Sequence, residues 1–244
     1  MGFSNRTLLE KYRVLAYSRR NHYPNKWVGY PDDYSLKTER DDLVALLEKL
    51  HISKSPSHFV GSSYGAFLCL LVARDYPRLV SSLVLEEPPI LSLLFAKEPE
   101  AYEASKLPYE DNVAKPLRNG GYVKALRYFV DSSEGTGAFN HLPKDVQSIM
   151  LDNARTLLVE DPKKERDHFS CTDAIEIKCP TLVVLGADSP WMFKVISKEL
   201  EDCLPDCSSI SIRDKSHSVH NQNQSEYNKA VLSFLSERCR CSEV

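Results

Sequence analysis

Ser57-His58-Phe59-Val60-Gly61-Ser62-Ser63-Tyr64-Gly65-Ala66-Phe67-Leu68-Cys69-Leu70-Leu71-Val72-Ala73 holds the transition on which the reading of the whole chain turns. Its first four residues form a short β-prone strand. From Tyr64 to Asp75 apolar side chains fall on nearly every side of a helix, the pattern of a helix buried in protein. Between the two lies G-x-S-x-G, from Gly61 to Gly65. At such a strand-to-helix turn the serine takes strained backbone angles, its flanking positions must be small, and its hydroxyl stands out above the sheet. Gly61 and Gly65 permit the close packing, and Ser63 is the candidate nucleophile.

Working outward, Tyr12 to Tyr17 is short, apolar and β-prone and predicts a strand, followed by a polar loop from Arg19 to Asp33. Leu36, Leu43, Leu46, Leu47 and Leu50 recur at helical spacing and predict an amphipathic helix from Ser35 to Leu50. Leu79 to Glu86 predicts a third strand, stopped by Pro88-Pro89, and Thr181 to Leu185 a fourth, bounded by Pro180 and Gly186. Ser208 to Ile212 alternates as a fifth strand, and Tyr227, Ala230, Val231, Phe234 and Leu235 share one face of a last helix. Strands alternating with helices predict an α/β fold, a mostly parallel sheet with helices on both faces. From Ile90 to Cys179 the alternation stops and helical stripes take over (Tyr122, Ala125, Leu126, Phe129, Val130, then Val146 to Leu158). The expected organisation is core in residues 1–89, a helical cap in 90–179 and core again in 180–244.

The 31 lysines and arginines against 34 aspartates and glutamates leave a net charge of −3, which offers no basic field for nucleic acid. No apolar run approaches the roughly 18 residues of a membrane span, and the first residues lack the pattern of a secretory signal. The seven cysteines are odd in number and scattered, so no disulfide framework is expected, and Cys239 and Cys241 read as a solvated tail rather than a metal site. The expectation is a cytoplasmic protein with a small-molecule substrate, no membrane or nucleic-acid partner, no cofactor and no metal.

A serine hydroxyl needs a base at neutral pH, and histidine has the fitting pKa. His217 is the best placed. It follows the fifth strand and precedes the final helix, on a loop at the sheet edge that also carries the nucleophile. His220 shares the loop and is the weaker candidate, whose replacement is expected to alter activity little.

With these pieces the chain resembles the α/β-hydrolase superfamily, in its capped, serine-nucleophile, AB hydrolase-1-like form, from about Tyr12 to Leu235. The resemblance rests on Asp41-Asp42-Leu43, the G-x-S-x-G elbow, Asp75-Tyr76-Pro77-Arg78-Leu79-Val80, Pro180-Thr181-Leu182-Val183-Val184-Leu185-Gly186, Ser216-His217 and Tyr227-Asn228. It implies a serine, acid, histidine triad in that chain order. In relatives the acid usually sits three residues beyond the glycine ending the penultimate strand, which here is Ser189, so Asp188, one residue earlier, is the first expectation. Glu87, just after the strand that follows the elbow helix, is the alternative acid, with Asp214 or no acid behind it.

Relatives begin with three strands, the third ending in a loop that supplies one oxyanion donor. This chain resembles them only from the following helix, near Ser4 to Lys11, so a truncated amino terminus is expected and only the backbone N–H of Tyr64 is visible as a donor. The implied activity is hydrolysis of an ester-like acyl substrate. The alternative is a catalytically impaired or non-catalytic binding protein of the same fold, because losing one oxyanion donor costs about 10²–10³ in turnover.

Overall fold

The computed structural model describes residues 6–29, 34–159 and 168–240. Four strands form its sheet: β1 (Ser57–Ser62), β2 (Val80–Glu86), β3 (Thr181–Gly186) and β4 (Cys207–Ile212), adjacent in that order and all parallel. Parallel neighbours require crossovers, and helices supply them. Tyr64–Asp75 joins β1 to β2, and Trp191–Cys203 joins β3 to β4.

The alternation of side chains along β2 sorts the core into two layers. Leu83 and Leu85 pack with Leu43, Leu47, Ala66 to Ala73, Ile196 and Leu200 on one face. Val84 packs with Leu182, Val184, Ile212, Val219, Tyr227, Val231 and Phe234 on the other, where the final helix Gln224–Arg240 lies. The helix Leu36–Lys49 starts at Ser35, whose side chain accepts the N–H of Thr38 as an N-cap. Between β2 and β3 the described residues are mostly helical, in short helices from Leu91 to Leu158 and again at Cys171–Glu176. Leu91–Lys97 packs on the main core, whereas Val113, Leu117, Ala125, Leu126, Phe139 and Leu157 make a cluster of their own. Among the described residues no helix is long and apolar enough to cross a membrane.

Two expectations are corrected. Tyr12 to Tyr17 is not a strand: residues 13–16 are exposed, and the segment is held by Tyr12, edge-on to His58, and by Tyr17 against the main core. Local β-propensity describes how side chains fit a pleated surface and supplies no hydrogen-bonding neighbour, so the segment runs over the molecule in irregular conformation. Among the described residues the cysteines also form a bridge, Cys171–Cys203, which ties the start of helix Cys171–Glu176 to the end of Trp191–Cys203. The C-x-C pair ends at Cys241, outside the described residues.

Because all four strands run the same way, Ser62, Glu86, Gly186 and Ile212 end at one edge of the sheet. In open α/β sheets this carboxyl edge is where ligands bind.

Candidate active site

Ser63 occupies the turn between β1 and its helix with φ 52° and ψ −125°, a conformation that costs a non-glycine residue about 1–3 kcal/mol. The surroundings hold it there. Its N–H donates to the carbonyl of Glu86 at 2.7 Å, and its own carbonyl accepts from Ala66 and Phe67 at 2.9 and 3.2 Å. Gly61 is required by contact, since a Cβ there would lie 2.5 Å from the carbonyl oxygen of Gly65. At Gly65 itself a Cβ would meet nothing within 4 Å, so of the two glycines only the first is imposed by packing.

The structure brings three sequence candidates together. His217 Nε2 stands 2.9 Å from Ser63 Oγ, and His217 Nδ1 stands 2.6 Å from Glu87 Oε2. Glu87 is fully buried, yet well satisfied: its other oxygen accepts the Gly186 N–H at 2.7 Å and the Ser189 hydroxyl at 2.5 Å. Two donors converge on its Oε1, which leaves Oε2 to accept from the imidazole. An acceptor at Nδ1 leaves the ring proton there and the lone pair on Nε2, facing the serine. Phe193 stacks on the His217 ring at 4.1 Å and 19°, limiting its rotation.

Asp188 is not brought to this site. Its side chain is exposed, and its contribution is a backbone N–H donated to the carbonyl of Lys215 at 2.9 Å. The one-residue offset from the relatives' acid position is therefore not absorbed by the loop; Ser189 fills that position and points its hydroxyl at Glu87. Asp214 is likewise exposed, in a left-handed turn at φ 54°.

Gly186 allows this assembly. A Cβ there would lie 2.5 Å from the carbonyl oxygens of Lys215 and Ser216, so the histidine loop lies directly on the end of β3. The loop has outer ties as well: the Ser216 hydroxyl donates to the carbonyl of Ser133, and Gln222 bonds Glu134, both in the helix Tyr122–Glu134. Tyr64 follows Ser63 as the first residue of its helix, where backbone N–H groups have no intrahelical acceptor and the dipole favours negative charge.

Beside the elbow, the Arg19 guanidinium lies over the Tyr64 ring at 4.9 Å and pairs with Glu39 at 2.6 Å. Burial raises the Glu39 carboxyl to about 7, with Arg19 opposing. Burial, assisted by Arg19, lowers His22 to about 4.

Sequence reasoning missed Ser189, Gly186 and Phe193 as parts of the site. The glycine ending a strand at Gly186 was the available signal; the stacking of Phe193 had none. Among the described residues, the ligand atoms of Cys171, Glu199 and Cys203 lie within 4.8 Å of one another, as metal ligands would. The two sulfurs are bonded to each other, which leaves no thiolate to bind an ion.

The chain matches the Alpha/beta hydrolase family over residues 3–230. It is 24% identical over 249 residues to RutD of Stutzerimonas stutzeri, whose name ascribes carbamate hydrolysis to it, covering 95% of this chain and 84% of that protein. Among solved structures it is similar to a hydrolase from Pseudomonas aeruginosa PA01, with TM-score 0.72 and 20% identity, covering 93% and 81% of the two chains. It is also similar to MenH from S. aureus, with TM-score 0.64 and 21% identity, covering 90% and 81%.

Proposed function

Because the chain belongs to the alpha/beta hydrolase family, we propose that it is a serine hydrolase of ester-like acyl substrates, with Ser63 as nucleophile, His217 as base and Glu87 as acid. The observation that carries this reading is the unbroken line from Ser63 Oγ to His217 Nε2 at 2.9 Å and from His217 Nδ1 to Glu87 at 2.6 Å, on a serine held at φ 52°.

In the first half of the reaction Ser63 Oγ attacks the carbonyl carbon while its proton passes to His217 Nε2. The imidazolium so formed is stabilised by Glu87 across the Nδ1–H, and the Tyr64 N–H, at the positive end of its helix, receives the oxyanion. The leaving alcohol departs with the proton from His217, and an acyl-serine remains. Water then repeats the sequence in reverse roles: His217 takes its proton, the acid product leaves, and Ser63 recovers its hydrogen. None of these steps needs a cofactor.

The helical residues between β2 and β3 form the cap that shapes the substrate pocket. Carbamates belong to the proposed substrate range too, since the relative RutD is named for carbamate hydrolysis and a carbamate carbonyl follows the same tetrahedral path.

A fluorophosphonate probe followed by peptide mass spectrometry tests the reading. The expected result is one modified peptide carrying Ser63, absent in Ser63→Ala and nearly absent in His217→Ala. Equal labelling of the Ser63→Ala variant would falsify the nucleophile.

A further inference from the structure

Glu86 is a buried charged residue that this mechanism leaves unused. It lies two residues from Val84 in β2 and so faces the same layer as Val219 and Tyr227. In that apolar setting its carboxylate is fully buried, accepting from His220 Nδ1 at 2.7 Å and from the His220 backbone N–H at 3.2 Å. A buried carboxylate stripped of its partner is strongly disfavoured, so the structure has reason to keep this bond. The backbone carbonyl of the same Glu86 accepts the Ser63 N–H at 2.7 Å. One residue therefore touches the peptide of Ser63 on one side and the loop of His217 on the other.

The arrangement repeats its neighbour. Consecutive carboxylates, Glu86 and Glu87, take two histidines three residues apart, His220 in the short helix Val219–Gln222 and His217 in the loop that leads into it, each through Nδ1. Only His217 turns its other nitrogen to the serine.

We propose that Glu86 and His220 are a positioning pair that fixes the separation of Ser63 and His217. This rests on the reading of Ser63 as nucleophile and His217 as base. Neither member of the pair touches the substrate; they act by holding the loop that carries the base. A purely structural anchor would change the melting temperature and leave the chemistry intact.

The saturating rate of fluorophosphonate labelling at Ser63, its half-saturating concentration and the melting temperature are measured for wild type, His220→Ala, His220→Asn and Glu86→Gln. A shift of about 1 Å in a catalytic group costs on the order of 10²-fold, so, against the small effect that the sequence alone leads one to expect, His220→Ala is expected to lower the saturating rate about tenfold to hundredfold, with the half-saturating concentration unchanged. Asparagine can present an N–H close to the place of Nδ1, and His220→Asn is expected to recover most of the rate. Labelling of His220→Ala at the wild-type rate overturns the proposal, as does a His220→Asn protein that melts normally and labels as slowly as the alanine variant. Should His220→Ala not fold, Glu86→Gln, which keeps one acceptor oxygen and loses the charge, decides: slowed labelling supports the pair and a wild-type rate refutes it. A wild type that does not label at Ser63, or labelling indifferent to His217→Ala, would instead remove the underlying nucleophile and base assignment, and this pair with it.

Discussion

Replacing Glu87 by glutamine changes one oxygen to an NH₂ at the point where three hydrogen bonds meet. If the remaining oxygen stays with the Gly186 N–H and the Ser189 hydroxyl, the NH₂ faces His217 Nδ1. That nitrogen must then accept, so the ring proton moves to Nε2, the atom that should take the proton of Ser63. If the amide turns over, its NH₂ meets the Gly186 N–H, which lies 2.7 Å from the oxygen it replaces. Donor then opposes donor, leaving a buried group unsatisfied at about 1–3 kcal/mol. Either arrangement also removes the negative charge beside the developing imidazolium. An acid-to-amide change that imposes the wrong tautomer lowers turnover by about 10⁴-fold, or about 5 kcal/mol of barrier. Turnover of a p-nitrophenyl ester by Glu87→Gln measures this directly. Asp188→Asn serves as the comparison and is expected to stay within about twofold of wild type, because the Asp188 side chain is exposed. Glu87→Gln turning over within tenfold of wild type, or Asp188→Asn suffering the larger loss, would refute the reasoning.

Two further outcomes are expected. Glu39 is buried with its carboxyl raised to about 7. Between the ordinary carboxyl range and that value the folded state therefore binds more protons than the unfolded chain, and stability falls as pH rises. The full difference is about 3 kcal/mol, so urea unfolding should show wild type losing that much relative to Glu39→Gln from about pH 4.5 to pH 8; parallel curves would count against it. Ser63→Gly relieves the strain of a positive φ and should raise the melting temperature by about 2–4 °C, near 1 kcal/mol, while abolishing activity; an unchanged or lower melting temperature would show that the turn is unstrained.

The sequence carried the parallel strands and the elbow helix because both are written in local pattern: Leu83-Val84-Leu85 and Thr181 to Leu185 are continuous apolar runs, and Gly61 stands where strand meets helix. Tyr12 to Tyr17 has the same local character and forms no strand, since pairing depends on a neighbour that no window of sequence contains. The choice between Asp188 and Glu87 was open for a related reason. Both follow the ends of adjacent parallel strands, so the chain order delivers both carboxylates to one edge. What separates them is which way each side chain turns, and the N–H of Gly186 and the hydroxyl of Ser189 that meet Glu87 lie 99 and 102 residues away in sequence. The Cys171–Cys203 bridge was hidden similarly, because scattered spacing carries no pairing. In sequence His220 shows only as a rival base, since its bond to Glu86 depends on the opposite face of β2.

The ties from Ser216 and Gln222 to Ser133 and Glu134 bear on how this protein can be recombined. The helices between β2 and β3 have the look of an interchangeable module, inserted at one point of the sheet. Yet the stretch that presents His217 is fastened at both flanks to the end of the helix Tyr122–Glu134. A chimera that imports foreign helices without an acceptor carbonyl at the place of Ser133 and a partner for Gln222 would cut the moorings of the histidine. The end of that helix and the placement of His217 are inherited together, so a successful graft must keep the acceptors at Ser133 and Glu134.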